Sequence, residues 1–89
     1  MIKIYLSRKL GELRLTQADL ARITGIRPST INEIYHEIAE RISIDHLDLI
    51  CEALDCDLSE LIAYIPNEHP KATDFRSLTR EKKQRRDGK

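Results

Sequence analysis

The sequence predicts an all-α domain of five short helices, followed by a polar C-terminal segment. Three observations predict it: apolar residues recur at helical spacing, capping residues precede the apolar stretches, and 89 residues allow one small domain. The longest apolar run covers residues 61–65, far short of the roughly 20 residues that span a bilayer. Residues 1–4 lack the hydrophobic region of a signal peptide, so we expect a cytoplasmic protein without a membrane partner.

The first helix is predicted over about residues 5–14, because Leu6, Leu10 and Leu13 share one helical face. Ahead of it, residues 2–6 alternate apolar with polar side chains, which is the period of a strand. We therefore expect a short extended start that leads into the first helix.

Capping residues bound the next two helices. Thr16 can accept a hydrogen bond from the backbone N–H of Asp19, so the second helix is predicted over about residues 17–24. It ends at Gly25, since glycine adopts the left-handed conformation without steric cost. Pro28 suits the first position of a third helix, over about residues 28–35.

Two further helices complete the predicted domain. Ser43 caps a fourth helix, about 44–54, and Asp57 with Glu60 caps a fifth, about 58–62. Five residues are predicted on the inner face of the fourth helix: Ile44, Leu47, Ile50, Cys51 and Leu54. We therefore divide the chain into a domain, residues 1–65, and a basic tail, residues 66–89, which is too polar to bury a core and is expected to be disordered.

The charge of the chain is segregated although its formal net charge is zero. Residues 1–32 carry +4, residues 33–65 carry −8 and residues 66–89 carry +4. Such a molecule can present a basic face to DNA and hold an acidic face away from it. The tail could add non-specific attraction to DNA, or it could serve only to keep the protein soluble.

The second and third helices form the candidate functional motif. Steeply crossing helices need a small residue where they approach, which is Ala21, and their turn needs the conformational freedom of Gly25. Four apolar residues are placed to lock the pair: Leu20, Ile26, Ile31 and Ile34. This pattern is typical of the helix-turn-helix, whose second helix enters the DNA major groove.

Residues 16–34, TQADLARITGIRPSTINEI, resemble the Cro/cI-type helix-turn-helix domain of phage and bacterial regulators. Residues 47–62 resemble the last two helices of that family, and the resemblance covers roughly residues 5–65. It implies a five-helix, lambda-repressor-like DNA-binding domain, usually a homodimer on a palindromic operator. A helical hairpin without a role in DNA binding would fit the apolar positions alone.

The resemblance also implies roles for individual positions. Pro28, Ser29 and Glu33 stand where the family faces base edges, and Gln17 and His36 stand where it meets phosphates.

Side-chain chemistry extends this set. Asn32 could bond adenine, Glu33 could accept from cytosine, Ser29 suits either a base or a phosphate, and Arg27 could reach a phosphate or a guanine. The predicted DNA-binding residues are Gln17, Arg27, Pro28, Ser29, Asn32, Glu33, His36 and Arg41.

Two features depart from the family. Arg27 replaces the usual small polar cap, and the stretch after the third helix contains Glu37 and Glu40, which would repel phosphates. Arg41 is the one cation of that stretch. Either the third helix runs longer than expected or this loop faces away from DNA.

Two questions of assembly remain open in the sequence. The apolar ends, residues 2–6 and 61–65, could pair as short strands within one chain or across a dimer. The third helix could also bind a basic protein partner through Glu33 and Glu37, as an antitoxin-like interaction module.

Catalytic and metal-binding signatures are missing from the sequence. The three histidines are scattered, and Cys51 and Cys56 do not form a CxxC pair. We therefore expect no enzymatic activity, no metal and no cofactor.

Overall fold

A computed structural model describes residues 1–69, which form five helices and a two-stranded sheet. The elements in chain order are β1 (Ile2–Ile4), α1 (Leu6–Leu13), α2 (Gln17–Thr24), α3 (Pro28–Tyr35), α4 (Ile44–Leu54), α5 (Leu58–Leu61) and β2 (Ile62–Tyr64). The predicted five-helix architecture is confirmed, and helix α5 ends one residue early because Ile62 begins β2. Most of the predicted tail, residues 70–89, lies outside the described residues, and the division into domain and tail stays a prediction.

The core is formed by side chains from all five helices and from β1. Ten hydrophobic residues are buried: Ile4, Leu6, Leu10, Leu20, Ile26, Ile31, Ile34, Ile50, Leu54 and Leu61. The four residues predicted to lock α2 against α3 are all among them. No polar or charged residue of the described part of the chain is buried, so hydrophobic burial is the main stabilising term.

Two residues predicted on inner helix faces are exposed instead. Ile44 is 83% exposed and Leu13 is 42% exposed. Ile44 is the first residue of α4 and Leu13 is the last residue of α1, where Arg14 turns the chain in the left-handed conformation. Both prediction errors have the same cause. The apolar periodicity of each helix continues to its terminal residue, but the end of the helix extends past the core, so the terminal apolar residue is exposed.

The predicted caps are present. The backbone N–H of Asp19 donates to Thr16 Oγ1 at 3.0 Å, and the backbone N–H of Thr16 donates to Asp19 Oδ2 at 3.0 Å. The hydrogen bond from the Thr16 backbone, together with Arg22, holds the pKa of the Asp19 carboxyl below its usual value. Ser43 Oγ accepts from the backbone N–H of His46 at 3.4 Å, which caps α4.

An ion pair joins the two ends of the helical region. Lys9 Nζ on α1 lies 2.8 Å from Glu60 Oε1 on α5. This hydrogen bond raises the pKa of Lys9 and lowers the pKa of Glu60. Glu60 also accepts a hydrogen bond from the backbone N–H of Asp57 at 3.2 Å, so one carboxylate both caps α5 and ties it to α1.

The apolar ends of the domain pair as antiparallel strands within one chain. The register places Ile2 opposite Tyr64, Lys3 opposite Ala63 and Ile4 opposite Ile62. Two backbone hydrogen bonds extend the ladder, from Tyr5 N–H to the Leu61 carbonyl at 2.7 Å and from Ile65 N–H to the Met1 carbonyl at 2.8 Å. Of the two arrangements that the sequence left open, the structure therefore shows the pairing within one chain.

Candidate nucleic-acid interface

The turn between α2 and α3 is set by backbone geometry. Gly25 has φ +78°, and its N–H donates to the Ala21 carbonyl oxygen at 2.8 Å. This left-handed conformation strains residues that carry a Cβ, which explains why glycine stands here. Arg27 then takes an extended conformation and precedes Pro28, the first residue of α3.

The hydroxyl of Thr24 reinforces this turn. It donates to the Leu20 carbonyl oxygen at 2.7 Å and accepts from the backbone N–H of Ile26 at 3.2 Å. The side chain thus links the last turn of α2 to the residue that enters the core after Gly25. This role was not predicted from the sequence, although a threonine directly before a helix-ending glycine is a suitable signal for it.

The third helix buries one face and exposes the other. Ile31 and Ile34 are at most 2% exposed and face α2 and the core. Ser29, Asn32, Glu33 and His36 follow the spacing 0, 3, 4 and 7 and are all exposed. At 3.6 residues per turn these four positions fall within an arc of about 100°. We call these four residues the outward face of α3.

The polar groups of the outward face have no partners within the described part of the chain. None of its four side chains forms a hydrogen bond or an ion pair with another residue of 1–69. His36 is oriented by Tyr35, whose ring centroid lies 5.0 Å from the imidazole centroid at an interplanar angle of 74°. The face is therefore an exposed row of polar groups that can bond a partner.

A shallow depression beside the turn brings the start of α2 to the start of α3. Gln17, Arg27 and Pro28, three of the predicted DNA-binding residues, line it together. Ala18 and Arg22 also line it and were not predicted from the sequence. They lie four residues apart and therefore share one face of α2, which is the signal that could have found them.

Arg22 is the better-defined of the two arginines at this depression. Its Nη2 lies 2.6 Å from Asp19 Oδ1, so its guanidinium is held on the surface of α2. Arg27 is exposed, and its side chain makes no capping hydrogen bond to α3. The depression is thus bordered by two cations, which suits an anionic partner.

The loop after α3 resolves one of the open alternatives. Helix α3 ends at Tyr35, and Glu37 turns the chain with φ +59°. The Glu37 carboxylate accepts from the backbone N–H of Ile4 at 3.3 Å and lies 3.5 Å from Lys3 Nζ. This glutamate therefore faces the sheet and not the outward face of α3, and its charge is paired.

Arg41 is the predicted interface residue that the structure does not join to the others. It is exposed in the loop between α3 and α4, without a hydrogen bond or ion pair to another residue in the range 1–69. A phosphate contact by Arg41 stays a prediction.

An exposed polar helix face, held on a second helix by a glycine turn and a buried apolar lock, defines a helix-turn-helix protein. A family model for the Cro/C1-type HTH DNA-binding domain matches residues 5–67. The chain belongs to this family. No curated protein sequence matches it closely enough to add a relative. Within residues 1–69, no helix is long and apolar enough to cross a membrane.

Proposed function

We propose that this DNA-binding regulator is a sequence-specific transcriptional repressor of phage or bacterial origin that acts in the cytoplasm. It binds a palindromic operator as a homodimer and places α3 in the major groove. A protein that covers operator DNA competes with other proteins for the same groove, and this competition is the basis on which we propose repression.

The outward face of α3 carries the proposal. Four polar side chains stand in a row on one exposed helix face, without partners in the described part of the chain. An α-helix of this size fits the major groove, where the four base pairs present distinct patterns of donors and acceptors. These unpartnered donors and acceptors are therefore available to base edges.

Individual roles follow from the chemistry of the side chains. Asn32 is proposed to bond the N6 and N7 atoms of an adenine, and Glu33 to accept from the N4 amino group of a cytosine. Ser29 is proposed to bond a base or a phosphate. Pro28 reads shape or a thymine methyl group, since its ring offers no hydrogen bond.

Phosphate contacts are proposed for the residues around this row. Gln17 stands at the first position of α2, where unpaired backbone N–H groups attract anions. Arg27 borders the same depression, and His36 stands at the end of α3. Arg41 is kept in this set as a contact from the loop.

Replacing Asn32 with alanine tests base readout. We expect a loss of about 1–3 kcal/mol in binding free energy for the preferred site, with relaxed specificity at one base pair per half-site. The measurement is fluorescence anisotropy with the preferred site and its single-base variants, taken from sequences that the full chain selects from random DNA.

Ser59→Ala is the matched control, since Ser59 is an exposed polar residue on α5, remote from α3 in the chain. We expect Ser59→Ala to bind all sites as the natural sequence does. Equal base preferences for Asn32→Ala and Ser59→Ala would contradict the assignment of Asn32 to base readout.

One observation favours a second candidate function. Glu33 places a carboxylate without a described partner on the outward face of α3, and a carboxylate repels DNA phosphates. A basic protein partner would pair with Glu33 directly, as in an antitoxin-like module. On that account the chain selects no sequence from random DNA, whereas Glu33→Gln weakens binding to the protein partner.

A further inference from the structure

The end of helix α4 has a specific hydrogen-bond geometry. Asp55 turns the chain in the left-handed conformation, with φ +51°. Its backbone N–H donates to the Glu52 carbonyl at 3.3 Å, and the backbone N–H of Cys56 donates to the Cys51 carbonyl at 3.1 Å. These two bonds define the Schellman motif, in which the side chains at the two ends of a six-residue span meet. At the end of α4 those two side chains are Cys51 and Cys56.

The end of helix α1 shows the same motif with different side chains. Arg14 is left-handed there, with φ +58°, and its backbone N–H donates to the Gly11 carbonyl at 3.2 Å. The backbone N–H of Leu15 donates to the Leu10 carbonyl at 2.9 Å. The two ends of this span are thus leucines that pack in the core, which is the usual apolar contact of the motif. Two cysteines in the equivalent places preserve an apolar contact and add the chemistry of a thiol pair.

The surroundings of the two thiols differ in their effect on Cys56. Both cysteines are reduced, half-buried and packed against the core. Burial, together with Cys51 and Glu60, raises the pKa of the Cys56 thiol, while the charge of Lys9 opposes this rise. Cys56 is therefore protonated at neutral pH, and a protonated thiol is a poor nucleophile. The first attack on an oxidant accordingly falls to Cys51.

We propose that Cys51 and Cys56 form a site of reversible oxidation, at which a hydroperoxide closes a disulfide within one chain. The bond links the last turn of α4 to the residue before Asp57, which is the N-cap of α5. Oxidation thus fixes the junction between these two helices. The inference goes beyond the proposed function and does not depend on it.

The reaction with hydrogen peroxide, the simplest hydroperoxide, balances in two steps. The Cys51 thiolate attacks one oxygen, the O–O bond breaks, and the other oxygen takes up a proton and leaves as water, so that Cys51 becomes a sulfenic acid. The Cys56 sulfur, as it loses its proton, attacks the Cys51 sulfur, the S–O bond breaks, and a second water leaves. Two thiols are oxidised by two electrons, and one peroxide is reduced to two waters. A small thiol reverses the reaction by exchange.

The fold favours the second step. A disulfide requires the two Cα atoms to lie within about 4.4–6.8 Å. The backbone hydrogen bond of 3.1 Å between Cys56 and Cys51 keeps the two residues together in the folded chain. In the unfolded chain the same residues sample many separations, so the effective concentration of one thiol at the other is lower.

Mass spectrometry of the full chain after peroxide treatment is the first test. We expect a monomer that is lighter by two hydrogen atoms, does not react with N-ethylmaleimide, and regains two reactive thiols in dithiothreitol. Cys56→Ser and Cys51→Ser are the matched variants, each with a single thiol. We expect both to gain oxygen atoms instead, because a sulfenic acid without a neighbouring thiol is oxidised further.

Three results of this experiment would overturn the proposal. The natural sequence could keep both reactive thiols, gain oxygen atoms as the single-cysteine variants do, or form a disulfide between two chains. In each case the two thiols do not react with one another within one chain.

Equilibration of the natural sequence in a glutathione redox buffer is the second test, which needs no variant. The ratio of internal disulfide to dithiol is measured in the folded chain and again in a denaturant that unfolds it. We expect this ratio to be at least about tenfold higher in the folded chain, because the turn holds the thiols together. An equal or lower ratio in the folded chain overturns the proposal, since the fold then does not favour the bond.

Discussion

Replacing Ile31 with alanine is expected to lower the free energy of unfolding by about 2–5 kcal/mol. Ile31 is fully buried between α2 and the rest of the core, so its truncation removes burial and leaves a cavity. A domain of this size has little stability to spare, since total values lie near 5–15 kcal/mol. Urea denaturation followed by circular dichroism measures the change.

Ile23→Ala is the matched control, because Ile23 is the same residue type on α2 but 56% exposed. We expect a change within about 0.5 kcal/mol for this surface substitution. If the two substitutions lower the free energy of unfolding equally, packing of the buried Ile31 side chain does not hold α2 and α3 together as we describe.

Raising NaCl from about 50 to about 200 mM is expected to weaken binding to the preferred DNA site by about two orders of magnitude. Arg27 and Arg41 are the two arginines proposed to contact phosphates in each copy, and a dimer doubles that number. With a slope of about −0.9 for each neutralised phosphate, four contacts give a log–log slope near −4. Fluorescence anisotropy over a salt series measures this slope.

Arg27→Gln measures how much Arg27, the arginine at the turn, contributes to the salt dependence of DNA binding. We expect its slope to be shallower by about two for a dimer, since one cation is lost from each copy. Arg8→Gln, on an exposed residue of α1, serves as the control and should leave the slope unchanged. A slope near zero for the natural sequence would contradict phosphate binding at the helix-turn-helix.

Local signals account for the parts of the fold that the sequence predicts. Thr16 and Asp19 lie three residues apart and cap each other, and Gly25 takes the one conformation for which glycine is preferred. These features depend on neighbours within a few residues, so a single sequence contains them. The exposure of Ile44 and Leu13 was not predictable in the same way, because periodicity identifies a face but not where the core ends.

In the candidate site, too, the placements set by neighbouring residues were predictable and those set by distant contacts were not. Helical spacing alone predicts that Ser29, Asn32 and Glu33 share a face, and the structure confirms that placement. The position of Glu37 depends on a contact with Ile4, 33 residues away in the chain. No local pattern encodes such a contact, so the direction of this loop could not be predicted from the sequence.

The chemical footprint of the bound chain on its selected DNA tests the central claim most directly, that α3 reads the major groove. Dimethyl sulfate methylates guanine N7 in the major groove and adenine N3 in the minor groove, so protection at each atom reports which groove is covered. We predict protected guanine N7 atoms in two major grooves about 34–36 Å apart, with adenine N3 still reactive between them. Protection confined to adenine N3, or no selected sequence and no footprint at low salt, would contradict the account.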